Sequence, residues 1–321
     1  MTAPESRTAD INGLRMHWLE AGSGPLVILC HGFPELSWSW RKQMAALAAA
    51  GYRAVAPDMR GYGGTDAPVD IGAYTIFHLT GDILGLLDHL GERRAVVVGH
   101  DWGAPVAWHC GLFRPDRFRA VVGLSVPYQP RGAISLPDMM TKLGLHRFYM
   151  MHFQEPGVAE AELEADPRQT QLRLFWSASG GGAAEGAGWP AMVPPGKTLL
   201  EACSVPSSLP AWLEEDDLGR YADSFRRTGY RGGLNWYRNL HRNWELGAAF
   251  HGAPITVPTL FIAGSLDGVI RMPGMDKAVE ALPKVCLDHR GTRIVEGAGH
   301  WVQQETPEPV NAALLEFLAG L

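Results

Sequence analysis

The sequence predicts an α/β fold, a mostly parallel sheet flanked by helices and interrupted by an inserted helical lid. Two patterns carry that expectation. Short apolar runs, Pro25-Leu-Val-Ile-Leu-Cys30, Tyr52-Arg-Ala-Val-Ala-Pro57, Ala95-Val-Val-Val98 and Phe118 to Val126, alternate with stretches of helical periodicity, the βαβα order that builds parallel sheets. Residues 128–247 then offer no comparable strand and are rich in Trp, Tyr, Met, Pro and Gly, before strand character returns with Val257-Pro-Thr-Leu-Phe-Ile-Ala263. Residues 1–127 and 248–321 are therefore expected to form one core domain, with 128–247 inserted into it as a lid.

The elements follow in chain order. Residues 11–18 alternate around Asn12-Gly13, a hairpin turn signal. Pro25–Cys30 is a buried strand running into His31-Gly-Phe-Pro-Glu35, and Trp38–Leu47 is helical in pattern. Tyr52–Pro57 ends in the Gly-rich Asp58–Thr65 stretch, which lacks the Lys-Ser/Thr of a phosphate-binding loop and the Gly-x-Gly-x-x-Gly spacing; a structural loop is expected. A helix spans Tyr74 to Leu90 and stops at Gly91. Within the lid, Asp217–Arg227 is helical, and Ser177–Gly188 is low in complexity and expected to be a flexible loop. A strand at Thr292–Val295 and a helix from about Pro307 close the chain.

Composition narrows the function classes. A formal net charge of -6 without long runs of one sign argues against a nucleic-acid partner. Cys30, Cys110, Cys203 and Cys286 form no Cys-x-x-Cys pair, so neither a metal site nor a disulfide framework is expected, and the four read as buried thiols. The polar amino terminus and the lack of a long apolar run point to a cytoplasmic protein with no membrane segment and no removed leader. The oligomeric state is left open, a homodimer included.

Three strand ends carry the chemistry. Ala95–Val98 stops at Gly99-His100-Asp101-Trp102-Gly103, followed by the helical Ala104-Pro-Val-Ala-Trp-His-Cys110. That is the small-x-nucleophile-x-small pattern of a strained strand-to-helix elbow, with Asp in the central place. An Asp there also suits a plain helix N-cap. A carboxylate is a poor acyl-transfer nucleophile but a competent one toward a saturated electrophilic carbon, giving an alkyl ester. Asp267 follows the strand ending at Ala263-Gly264, and His300 follows the last strand within Gly297-Ala-Gly-His. Each alone could be a turn acid or a structural histidine, but nucleophile, Asp, His is the chain order of elbow hydrolases.

On these motifs the chain resembles the α/β-hydrolase superfamily and, within it, the soluble epoxide hydrolases. The likeness rests on His31-Gly-Phe-Pro-Glu-Leu36, Tyr52 to Gly63, Gly99-His-Asp-Trp-Gly-Ala104 and Gly297-Ala-Gly-His300, with Tyr149-Met-Met-His-Phe-Gln154 and Leu234-Asn-Trp-Tyr-Arg-Asn239 similar to the family's two tyrosine segments. The resemblance implies an α/β-hydrolase fold, a cis Phe33-Pro34 bond, and conversion of an epoxide and water to a vicinal diol with no metal or organic cofactor. In that scheme Asp101 attacks an epoxide carbon while Tyr149 and Tyr237 hold and protonate the leaving oxygen. His300, oriented by Asp267, then activates water, and the backbone N–H groups of Phe33 and Trp102 form the oxyanion hole. His31, Pro34, Glu35 and Trp236 are expected against substrate or water, Glu35 holding the water. A haloalkane dehalogenase, also similar in its elbow Asp and following Trp, is the nearest alternative, and a catalytically silent ligand-binding protein of the same fold a more distant one. Detoxification, lipid epoxides and a biosynthetic step are all open as physiological roles.

Overall fold

Asn12 and Gly13, at φ of +53° and +76°, turn β1 (Glu5–Ile11) back onto β2 (Leu14–Ala21) in the computed structural model, which describes residues 4–321. Two successive positive φ values are what a tight two-residue hairpin requires. Residues 1–3 of the polar amino terminus, on which the reading of no leader partly rests, lie outside the described residues. The first half of the chain then alternates as its pattern predicts, through β3 (Leu26–Cys30), α1 (Arg41–Ala49), β4 (Arg53–Pro57), α2 (Ile76–His89), β5 (Ala95–His100), α3 (Gly103–Phe113) and β6 (Phe118–Leu124). Thr75 starts α2 by accepting a hydrogen bond from the His78 N–H, satisfying one of the donors a helix start leaves free.

The segment after β6 is helical, with α4 (Leu136–Lys142), α5 (Tyr149–His152), α6 (Val158–Leu163), α7 (Pro167–Ala178), α8 (Gly180–Ala184), α9 (Leu199–Ala202), α10 (Glu215–Thr228), α11 (Arg231–Arg238) and α12 (Leu240–Leu246). The chain returns to the sheet through β7 (Ile255–Gly264), α13 (Met275–Val285) and β8 (Cys286–Val295), and ends with α14 (Val302–Glu305) and α15 (Pro307–Ala319).

The strands lie in the order β1-β2-β4-β3-β5-β6-β7-β8. The first two pairings are antiparallel and the rest parallel. β5 is central and buried at every residue. Its alternate side chains feed two layers: Ala95 and Val97 pack with the α2 and α3 face, Val96 and Val98 with the α1 and α15 face. A strand covered on both faces needs an unbroken apolar run, and each such Val is worth about 1.5–3 kcal/mol in burial. The strand end that carries Asp101 is thus anchored in the buried centre of the sheet.

Two readings need correction. Ser177–Gly188 is not a flexible loop: α7 runs to Ala178, and Ser179 caps α8 by accepting from the Gly182 N–H at 3.0 Å. Gly180 is buried, and a Cβ there would stand 2.2 Å from the Gly297 oxygen. Gly180 and Gly182 are conditions of close packing, which composition alone does not distinguish from slack. β8 begins at Cys286, earlier than its apolar character suggests, because it is an edge strand whose Leu287 and Ile294 face solvent. The Asp58–Thr65 loop is structural, Asp58 accepting from the Ser37 and Gly64 N–H groups at 2.9 Å each. All four cysteines are free and buried. Among the described residues no helix is long and apolar enough to cross a membrane.

Candidate active site

The elbow is built by small residues in close approach. A Cβ on Gly99 would lie 1.9 Å from the Gly103 oxygen, and one on Gly103 would lie 2.0 Å from the Cys30 oxygen. Between them Asp101 sits at φ +50°, a region that costs a non-glycine residue of order 1 kcal/mol or more and persists only where its surroundings enforce it. The Phe33 N–H donates to Asp101 Oδ1 at 2.7 Å, and the Phe33-Pro34 bond is cis. Burial alone would raise the Asp101 pKa, but the hydrogen bond and charge of His300, with the Trp102 N–H, outweigh it and hold the carboxyl below its usual value.

β7 and β8 bring the other two groups to the same edge of the sheet. His300 Nε2 lies 3.3 Å from Asp101 Oδ2, and its Nδ1 lies 3.0 Å from Asp267 Oδ1. Burial would depress the imidazole, yet the Asp267 and Asp101 carboxylates together carry its pKa well above the ordinary histidine value. The histidine backbone is held as firmly: its carbonyl faces the His100 Nε2 at 2.7 Å and accepts from the Ser125 hydroxyl at 3.0 Å.

From the opposite side, α5 presents Tyr149 at its first position and α11 presents Tyr237. The rings meet edge to face with centroids 6.2 Å apart. Gln154 ties the two helices by donating to the Met150 and Tyr237 carbonyls at 2.8 and 3.0 Å. Burial, with the charge of Asp101 nearby, pushes both phenols well above the usual tyrosine pKa, so each keeps its proton. Both line a cavity whose wall also includes Asp101, Asp267 and His300. A strained carboxylate, a carboxylate-backed imidazole and two protonated phenols thus share one largely apolar chamber, a set suited to nucleophilic displacement followed by ester hydrolysis.

The family model for the alpha/beta hydrolase fold matches residues 25–174. The chain is similar to Epoxide hydrolase A of Mycobacterium tuberculosis, 47% identical over 324 residues that span 100% of this chain and 99% of that one. It belongs to the epoxide hydrolase family. Among solved structures, this epoxide hydrolase is similar to an epoxide hydrolase from an endophytic Streptomyces, with a TM-score of 0.95 and 45% identity over 100% of this chain and 96% of the other. It is similar also to Epoxide Hydrolase A from Mycobacterium thermoresistibile, with a TM-score of 0.91 and 46% identity over 99% of each chain.

Not every residue expected at the site of this hydrolase reaches its cavity. Pro34 lines it with Phe33. His31, Glu35 and Trp236 stand behind the wall, each engaged by protein. His31 donates from Nδ1 to the Gly32 carbonyl at 2.9 Å, and its Nε2 accepts from the Met59 N–H at 3.0 Å. Glu35 meets the His100 ring at 2.7 Å and accepts from Gln303 and Gln304 at 3.0 and 2.9 Å. Trp236 donates to the Arg60 carbonyl at 3.1 Å. Sequence proximity to a reactive residue does not say which way a side chain faces, and these three face inward. Conversely, Phe153, Leu174, Trp189, Gly268, Val269 and Trp301 line the cavity and were not anticipated. Gly268 and Trp301 directly follow Asp267 and His300, a signal that could have found them; Leu174 and Trp189 come from the inserted segment and offered none.

Proposed function

We propose that this epoxide hydrolase opens a small neutral epoxide through a covalent ester on Asp101. The observation that carries the reading is the pairing, in one chamber, of a carboxylate held ionised with two phenols held protonated. In the first half-reaction an Asp101 oxygen attacks an epoxide carbon, the ring C–O bond breaks, and Tyr149 and Tyr237 stabilise and protonate the leaving alkoxide. The product is a β-hydroxyalkyl ester. In the second, His300, oriented by Asp267, takes a proton from water as it attacks the ester carbonyl. The Phe33 and Trp102 N–H groups receive the developing oxyanion, the ester C–O bond breaks, and a vicinal diol leaves. The proton His300 takes from water passes to the diol oxygen as the ester C–O bond breaks, and water's second proton, left on the regenerated Asp101 carboxyl, restores the tyrosine that protonated the first alkoxide, so the cycle balances. Residues 128–247 act as the lid that supplies the acids and closes the chamber.

The test is the intact-protein mass of a His300→Ala variant after a pulse of styrene oxide. A mass increase equal to the whole epoxide, mapped to Asp101, is expected. Absence of an adduct, together with halide release from a chloroalkane by the native enzyme, would transfer the protein to the dehalogenase reading.

A further inference from the structure

Outside the groups used so far, one acid touches the catalytic loop from behind. Glu305, the last residue of α14, accepts from the Trp301 N–H through Oε1 at 3.0 Å, and through Oε2 from the Gly299 N–H at 3.1 Å and the Gly180 N–H at 2.8 Å. Gly299 and Trp301 are the two neighbours of His300 in sequence, and Gly180 belongs to α8 in the inserted segment. One carboxylate therefore joins both shoulders of the histidine to the segment that carries the tyrosines.

The surrounding contacts act along the same line. The His300 N–H itself donates to the Ala178 carbonyl at 2.8 Å, the residue that ends α7. A Cβ on Gly299 would lie 2.1 Å from the Gly180 nitrogen, so the two backbones meet with no side chain between them. On the sheet side the His300 carbonyl is held by Ser125, a non-glycine residue at φ +67°. A buried loop placed by this many directional bonds has little freedom to shift, and a general base misplaced by about 1 Å can cost on the order of a hundredfold in rate.

We infer that Glu305 is a positioning residue for His300, fixing the height of the imidazole over Asp101 by locking residues 299–301 to the inserted segment. The inference rests on the two-step reading above, and it assigns Glu305 to one half-reaction only. Ring opening uses Asp101 and the tyrosines, whereas hydrolysis of the ester needs His300 in place. All three partners of Glu305 are donors, so both carboxylate oxygens are needed as acceptors. A Gln at this position keeps the volume but turns an N–H₂ toward a donor.

The experiment is single-turnover reaction of styrene oxide with the native enzyme, His300→Ala, Glu305→Gln and Glu305→Ala, with ester quantified by intact-protein mass at each time. Glu305→Ala is expected to form ester within about twofold of the native rate and to hydrolyse it about ten- to a hundredfold more slowly. Glu305→Gln should fall between the two. If Glu305→Ala does not fold, Glu305→Gln decides alone, since it alters one acceptor and no volume. Native ester hydrolysis in Glu305→Gln, or equal loss of both half-reactions, overturns the inference and leaves Glu305 a packing role. Failure of His300→Ala itself to accumulate ester overturns the covalent reading instead, so the two failures are distinguishable.

Discussion

His300 and Asp101 face each other, Nε2 to Oδ2 at 3.3 Å, a contact that raises the imidazole pKa and lowers that of the carboxyl. In the proposed mechanism this contact favours the protonated form of the base of the second half-reaction and the ionised form of the nucleophile of the first. Esterification of Asp101, as proposed, would remove that negative charge and with it one of the two carboxylates that raise the imidazole, leaving Asp267. On the proposed mechanism, attack on substrate would also be the event that prepares His300 to give up its proton.

The two half-reactions should separate by pH. Because the Asp101 pKa is depressed and the phenols are raised, ester formation should stay level on acidification until pH falls below the ordinary range of an aspartate. Ester hydrolysis needs neutral His300, so its rate should fall as pH drops through the histidine pKa of the ester form. Stopped-flow single turnovers at a series of pH values check this. Hydrolysis that accelerates on acidification would remove His300 as the base.

Replacing either phenol should slow ring opening. Each of Tyr149→Phe and Tyr237→Phe is expected to lower the rate of ester formation by about ten- to a hundredfold. The double variant should lose about 10²–10⁴, the span of general-acid assistance. Hydrolysis of preformed ester should change little. Full ring-opening activity in the double variant would exclude the tyrosines from the mechanism.

Chamber size is set partly by what Gly268 lacks. A Cβ there would stand 3.2 Å from the Cβ of Trp189, whose ring packs edge to face on Tyr149 at 5.1 Å. Gly268→Val should push Trp189 onto the tyrosine and raise KM for styrene oxide, while Trp189→Ala should admit bulkier epoxides. Initial-rate kinetics on a series of aryl epoxides measures both. An unchanged KM in Gly268→Val would show that Trp189 yields freely.

Stability should depend strongly on a pair remote from the chemistry. Arg60 binds Asp82 through two bonds of 2.7 and 2.6 Å, with side chains 5% and 2% exposed. Removing one partner of a buried pair leaves an uncompensated charge, so Asp82→Ala should lose about 3–5 kcal/mol in urea unfolding. A loss under 1 kcal/mol would mean that water reaches Arg60.

Legibility in the sequence followed the range of the interactions involved. The sheet was readable because a strand buried on both faces must be continuously apolar, as β3 and β5 are. The elbow was readable because crowding forces small residues at Gly99 and Gly103, local neighbours of Asp101. Asp267 and His300 were found from strand ends and chain order, with no knowledge of their 3.0 Å contact. The tyrosines required likeness to known proteins, since nothing local distinguishes Tyr149 from a packing residue. What stayed hidden depended on distant partners. Glu35 was expected, from likeness to the family, to hold water at the chamber, and the side chain is engaged instead by His100, Gln303 and Gln304. Gly180 looked slack because the surface it fits belongs to residues 297–299.

The bare contact of Gly180 with Gly299 also bears on how such enzymes can be recombined. A graft of a relative's inserted segment would carry one half of this contact into a host that supplies the other, and any side chain on either half collides with main chain rather than with something that can swing aside. Segments exchanged with crossovers inside residues 128–247 should therefore tolerate variation at Trp189 or Leu174, while the turn at Ala178–Gly182 and the loop at Gly297–Glu305 must be inherited together.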